Sequence, residues 1–128
     1  MPHLIVEYTD NLEAEGDIAG LLPKLSAVLI DQGAYPIGGI RVRAIGLKHY
    51  RIADGREDDA FVHATLKIGA GRTDAVKQAT CDTLFETIKA HFADLFARRY
   101  LALSLELVEF SEAGTWKHNN LHQRFKKP

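Results

Sequence analysis

Apolar and polar positions along this chain follow two different periods, and the switches between them divide it into elements. His3 to Thr9 reads His-Leu-Ile-Val-Glu-Tyr-Thr, β-branched and aromatic with a short apolar centre, and predicts a strand. Asn11 to Gly16 is polar and acidic, a turn leading into a helix. Ile18, Leu21, Leu22, Leu25, Val28 and Leu29 then recur at helical spacing, with Pro23 in the first turns and Gly33 as the stop. Gly38-Gly39 introduces a second strand from Ile40 to Ile45, extendable toward Tyr50, in which Arg41 and Arg43 share a face because the side-chain period is two.

Ala53-Asp54-Gly55 and the charged residues Arg56 to Asp59 form a turn and loop before the third strand, Ala60 to Ile68. After Gly69-Ala70-Gly71-Arg72, Thr73 is a good N-cap for one long helix whose apolar rhythm (Ala75, Val76, Ala79, Leu84, Ile88, Phe92, Leu95, Phe96) runs as far as Arg99. Leu101 to Phe110 predicts the last strand, and residues 111–128 form a tail containing Trp116 and Phe125. The order is β-α-β followed by β-α-β, over about residues 1–50 and 60–110, within one domain spanning 1–128. It predicts an α+β fold: a four-stranded mixed sheet with both helices on one face. The other face still carries apolar residues, so self-association is expected.

Composition narrows the function. The chain has 128 residues, a formal net charge of -1 and 46% hydrophobic residues, ordinary values for one globular domain. That balance gives no electrostatic claim on nucleic acid. No long apolar run or secretory pattern is present, so no membrane partner is expected and a cytoplasmic location is. Cys81 stands alone inside a helical pattern and reads as a structural thiol. Six histidines are scattered, and His118 and His122 lack the His-Glu-x-x-His context of a catalytic metal site, so metal catalysis is not expected. His63 reads as a satisfied structural histidine within a strand. Gly-Ala-Gly-Arg is neither a P-loop nor a dinucleotide fingerprint, and no serine sits in a nucleophile elbow.

The chemistry gathers elsewhere. Pro2 follows the initiator Met, which is normally removed before a small residue, leaving a secondary amine at the terminus of a strand. A fixed amine near apolar walls and cations loses proton affinity and becomes a base suited to neutral pH. Arg72 lies at the start of a helix, the wrong end for a cation, behind glycines that let backbone approach a ligand. Arginine's planar fork suits carboxylates. A neutral amine with several arginines suits a small substrate carrying several carboxylates. For Arg41 and Arg43 the competing reading is a solvated face paired with the acids of the Arg56 to Asp59 loop. Trp116 and Lys117 are candidates to line a site shared with a neighbouring subunit.

These features together resemble the tautomerase superfamily, whose members use an N-terminal proline as base. The match is nearer to its 5-carboxymethyl-2-hydroxymuconate delta-isomerase branch. It is carried by Met-Pro-His-Leu-Ile-Val-Glu at the start, Gly-Gly-Ile-Arg-Val-Arg at 38–43, Ala-Asp-Gly at 53–55, Phe-Val-His-Ala-Thr-Leu-Lys-Ile-Gly-Ala-Gly-Arg at 61–72, Leu-Ala-Leu-Ser at 101–104 and Lys-His-Asn-Asn at 117–120. The resemblance implies a homotrimer with sites near subunit interfaces, no cofactor, and a role in homoprotocatechuate (4-hydroxyphenylacetate) breakdown. Residue by residue it implies Pro2 as base, Arg72 as carboxylate or oxyanion ligand, and Arg41 as a second such ligand with Arg43 as the alternate. Two other readings stand beside it: a proline-based tautomerase acting on a smaller enol carboxylate, and a non-enzymatic oligomeric ligand-binding protein on the same scaffold.

Overall fold

The structure, a computed structural model, describes residues 1–126. Its elements are β1 (His3–Thr9), α1 (Ile18–Gln32), β2 (Arg41–Leu47), β3 (Ala60–Gly69), α2 (Asp74–His91), α3 (Ala93–Arg98) and β4 (Leu101–Phe110), with short 3-10 turns at Asp10–Leu12, Ile37–Gly39, Glu112–Gly114 and Leu121–Phe125. The four strands form one mixed sheet in the order β2-β1-β3-β4. β1 runs parallel to β2 and β3 parallel to β4, while β1 and β3 pair antiparallel at the centre.

Alternation along the strands separates the two faces. Leu4, Val6, Tyr8, Val62, Ala64, Leu66 and Ile68 point to one side and are buried. There they meet Ile18, Leu21, Leu25 and Leu29 of α1, Leu84 and Ile88 of α2, and Phe92. α1 packs on β2, α2 packs on β4, and the two helices pack on each other. Each fully buried Leu or Ile contributes about 1.5–3 kcal/mol relative to exposure. The opposite face (His3, Ile5, Glu7, Phe61, His63, Thr65, Lys67) has no helix over it among the described residues and remains partly or fully exposed.

Local chemistry sets the helix ends. Asp17, held in the left-handed region at φ 45°, accepts from the Gly20 amide and caps α1, and Gly33 at φ 79° ends it. Pro23 falls inside α1, where its missing N–H removes the hydrogen bond that would run back to Ala19. Thr73 caps α2 by accepting from the Val76 amide, as its sequence position predicts.

The predicted single helix to Arg99 is instead two. Phe92 adopts φ -99°, ψ 11°, outside the helical range, and α3 starts after it. Phe92, 1% exposed, and Leu95, 4% exposed, both reach the core across the break. The competing reading, in which Arg41 or Arg43 pairs with the Arg56 to Asp59 acids, is not realised among the described residues. Arg99 pairs with Asp58 at 3.2 Å instead. His63 sits on the open face, with Nδ1 2.7 Å from Ser104 Oγ and Nε2 3.4 Å from Glu106, so its apolar sequence neighbours lie on the other side.

Leu25→Ala leaves a cavity at the interface between α1 and the sheet. We expect it to lower stability by about 2–5 kcal/mol in urea unfolding at fixed protein concentration. An unchanged unfolding midpoint would contradict the core as described.

Candidate active site

Strand direction brings distant residues to one end of the sheet. Because β1 and β3 are antiparallel, His3 at the start of β1 pairs with Lys67 near the end of β3. The parallel pairs then place Arg41 beside His3, and Phe110 beside Gly69. The start of the chain, the start of β2, the turn at residues 69–73 and the segment after β4 therefore share that end.

Pro2 is buried there. Its carbonyl accepts from the Arg41 amide at 3.0 Å, which extends the β1–β2 ladder to the terminus and fixes it. The terminal amine belongs to Met1, and the Pro2 nitrogen lies in the Met1–Pro2 peptide bond. The Met1 amine titrates below its ordinary value. Burial is the largest cause, followed by the positive charges of Lys117 and Arg72; Glu112 acts in the opposite direction, and Arg41 adds a further downward push. Three of the sequence-predicted cations thus lie within electrostatic reach of the terminal nitrogen.

Arg72 is held on several sides. Its Nη1 donates to the Gly69 carbonyl at 3.3 Å and its Nη2 to the Ala34 carbonyl at 3.2 Å. Its guanidinium carbon stands 4.4 Å from the centre of the Tyr35 ring. Cation–π contact of this kind contributes about 0.5–2 kcal/mol. These contacts offset the unfavourable position of a cation at the start of α2. The Arg72 Nε is buried and has no hydrogen-bond partner among the described residues.

Arg41 and Arg43 do share a strand face, but their surroundings differ. Arg41 is half-buried and donates to the Gly39 carbonyl at 2.8 Å. Arg43 is exposed and lies 3.1 Å from His3 Nδ1, two residue pairs further from the terminus. His3 titrates below its ordinary value because of burial first, then Arg43 and Arg41. Arg41, not Arg43, is among the charges felt by the terminal amine.

The tail completes the site. A cavity of about 280 Å³ is lined by Met1, Pro36, Gly39, Lys117, Asn119 and His122. Lys117 pairs with Glu112 at 3.1 Å. Asn119 donates to the Gly38 carbonyl at 3.0 Å. A Cβ on Gly38 would stand 2.7 Å from the His122 backbone nitrogen, so glycine is needed where the tail crosses this turn. Trp116 is 89% exposed and does not line the cavity. The sequence reading missed Glu112, Asn119, His122 and Tyr35. The Lys-His-Asn-Asn run was a signal for Asn119, but neither Tyr35 nor Glu112 carries a local pattern.

Other features are set apart from this chemistry. A cleft of about 720 Å³ lies at the opposite end of the sheet among Ile52, Asp59, Phe96, Arg98, Arg99 and Tyr100, away from the terminal amine. Burial, then Asp82, raises the Cys81 thiol above its ordinary value, so the thiolate nucleophile is disfavoured. Among the described residues no three His, Cys, Asp or Glu side chains gather as metal ligands, and no helix is long and apolar enough to cross a membrane.

A β-α-β repeat thus holds a terminal amine among cations at one end of a mixed sheet. A match to the family described as 5-carboxymethyl-2-hydroxymuconate isomerase runs over residues 2–125. A 5-carboxymethyl-2-hydroxymuconate Delta-isomerase of Escherichia coli is 46% identical over 126 residues, covering 98% of this chain and 100% of its own. The crystal structure of a 5-carboxymethyl-2-hydroxymuconate isomerase from Deinococcus radiodurans R1 superposes with a TM-score of 0.94 at 55% identity, over 98% of this chain and 95% of that one. A second, of a 5-carboxymethyl-2-hydroxymuconate delta-isomerase, gives a TM-score of 0.90 at 31% identity, over 100% and 95% of the two chains. The chain belongs to the 5-carboxymethyl-2-hydroxymuconate isomerase family. Native fused 4-OT, at 20% identity and a TM-score of 0.70, shares the fold.

The electrostatics of the terminus can be tested directly. The N-terminal amine is expected to titrate below the ordinary value, and Lys117→Ala to move its pKa upward, in an NMR titration of the terminal nitrogen. An ordinary value in the unaltered protein would contradict the described arrangement.

Proposed function

We propose that this protein converts 5-carboxymethyl-2-hydroxymuconate to 5-carboxymethyl-2-oxo-hex-3-ene-1,6-dioate, with the Pro2 nitrogen as base once Met1 has been removed. The protein is an isomerase of aromatic-compound catabolism, in the homoprotocatechuate pathway, as its family membership establishes. The observation that carries the residue assignments is the convergence of the terminal amine with Arg72, Lys117 and Arg41 at one end of the sheet.

Removal of Met1 would turn the Pro2 nitrogen into a secondary amine in nearly the same surroundings. It would also enlarge the space bounded by Gly39, Lys117, Asn119 and His122, since Met1 forms one wall of that cavity. Burial and the nearby cations favour the neutral amine, which is the form able to accept a proton. The Pro2 nitrogen takes the proton of the substrate 2-hydroxyl. The O–H electrons form the C2 carbonyl, the C2–C3 double bond moves to C3–C4, and the C4–C5 electrons take a proton at C5 from the same nitrogen. The nitrogen ends as it began. Arg72 and Arg41 hold carboxylates and stabilise the negative charge that passes through the diene. Lys117 adds positive charge from the tail, with Arg43 further out on the strand.

Assembly as a homotrimer, with sites near subunit interfaces, belongs to the same proposal, as does a cytoplasmic location. Support for self-association comes from the sheet face that no helix covers, and from Trp116, exposed beside Lys117. Light scattering on the purified protein tests the trimer.

The central test joins the intact mass of untagged protein to a ketonisation assay on the same sample. Loss of one Met together with fast turnover is expected, and turnover by a chain that retains Met1 would rule out the Pro2 mechanism. The base must be neutral, so kcat/KM should fall as pH drops below the amine pKa; a lowered pKa extends the active range toward acid. Arg72→Ala should cut kcat/KM by about 10²–10³-fold without comparable loss of stability, and full activity would remove its assigned role. Pro2→Ala, which supplies a primary amine, should leave partial activity at best.

A further inference from the structure

We infer that Tyr35 is a positioning residue for this reaction: its buried ring is the platform that fixes the Arg72 guanidinium. The inference rests on the reading of Arg72 as a substrate ligand and deepens it.

Tyr35 is 3% exposed and lies just after the end of α1, between Gly33 and Pro36. Its hydroxyl donates to Thr80 Oγ1 at 3.1 Å. Thr80, fully buried on α2, in turn donates to the Val76 carbonyl at 2.8 Å. Every polar group in this chain of contacts has a partner, so the ring is tied to α2 and cannot swing away without leaving a buried hydroxyl unpaired. The Arg72 guanidinium carbon stands 4.4 Å from the centre of that ring. On either side, the Gly69 and Ala34 carbonyls each take one N–H of the fork.

The arrangement restrains the guanidinium before any ligand arrives. Its central carbon is held over the ring, and two of its N–H bonds are committed to backbone. The remaining donors, including the buried and unpartnered Nε, are left in a defined plane. An arginine free in solvent would have to be ordered at the moment of reaction, whereas this one is ordered by the fold. Positioning of this kind affects rate, because a displacement of about 1 Å in a catalytic group costs up to about 10²-fold.

Nothing in the sequence pairs Tyr35 with Arg72. They come together because the end of α1 and the turn between β3 and α2 meet beside the helix pair.

The test is a double-mutant cycle on the intact protein, read by ketonisation kinetics, with thermal unfolding and oligomeric state as controls. Tyr35→Leu should lower kcat/KM by about 10-fold, and Tyr35→Phe, which keeps the ring, should recover most of that loss. In an Arg72→Ala background Tyr35→Leu should cause little further loss, since the ring acts through the guanidinium. Equal losses in the two backgrounds would overturn the inference. So would full activity of a folded Tyr35→Leu protein alongside an impaired Arg72→Ala protein, an outcome that leaves the role of Arg72 standing. Full activity of Arg72→Ala would instead overturn the reading beneath it.

If Tyr35→Leu does not fold, the side-chain ¹H–¹⁵N signal of Arg72, assigned by its disappearance in Arg72→Ala, decides. A ring-current-shifted signal in the unaltered protein and in Tyr35→Phe supports the platform, and a signal at the position of an exposed arginine overturns it.

Discussion

One hydrogen bond organises the functional end of this molecule: the Arg41 amide donates to the Pro2 carbonyl at 3.0 Å. It extends the parallel β1–β2 ladder to the start of the chain, so the terminus is held as part of the sheet. Chain termini ordinarily keep their freedom, and ordering one costs entropy that must be offset by burial or pairing. Here both occur, since Pro2 is buried and its carbonyl is bonded. A terminal nitrogen fixed in this way can have a defined set of neighbours, and its proton affinity can be set by them.

Those neighbours are supplied by three separate parts of the chain. Arg41 comes from the first half, Arg72 from the turn after β3, and Lys117 from the tail. Like charges gathered at one place repel, and the structure relieves that repulsion locally. Glu112 pairs with Lys117, Arg41 donates to the Gly39 carbonyl, and Arg72 is shared between two backbone carbonyls and an aromatic face. Each cation is held, yet none of these contacts uses every N–H it has. The result is a preorganised positive frame around a nitrogen that prefers to be neutral. Such a frame favours a substrate whose negative charges stay in place while a proton moves.

The elements themselves were readable from pattern. The strand patterns at 3–9, 40–45, 60–68 and 101–110 and the helical spacing from Ile18 to Leu29 predict the four strands and α1 to within one or two residues of where they occur, because burial on one face imposes period two or 3.6. The second helical segment was harder. Its buried face is Thr80, Leu84 and Ile88, whereas Ala75 and Ala79 are exposed. Thr80 reads as polar until its hydroxyl is seen to accept from Tyr35. The break at Phe92 carries no Gly or Pro signal, and the apolar spacing of Ile88, Phe92 and Leu95 continues across it, so the pattern alone predicts one helix.

Pro2, the arginines and the Gly-Gly and Gly-Ala-Gly turns were all visible as residue types in positions that suit amine-base chemistry with carboxylate ligands. Local sequence therefore determined the strands, most of the helical segments and the kinds of groups available for chemistry, because those depend on period, capping and side-chain composition. The tertiary structure decided which groups meet. The antiparallel pairing of β1 with β3 sets the start of one half against the end of the other. The parallel register of β1 with β2 puts Arg41, not Arg43, near the terminal nitrogen, the tail folded back over Gly38 leaves Trp116 outside the cavity, and the meeting of the end of α1 with the turn after β3 places Tyr35 against Arg72.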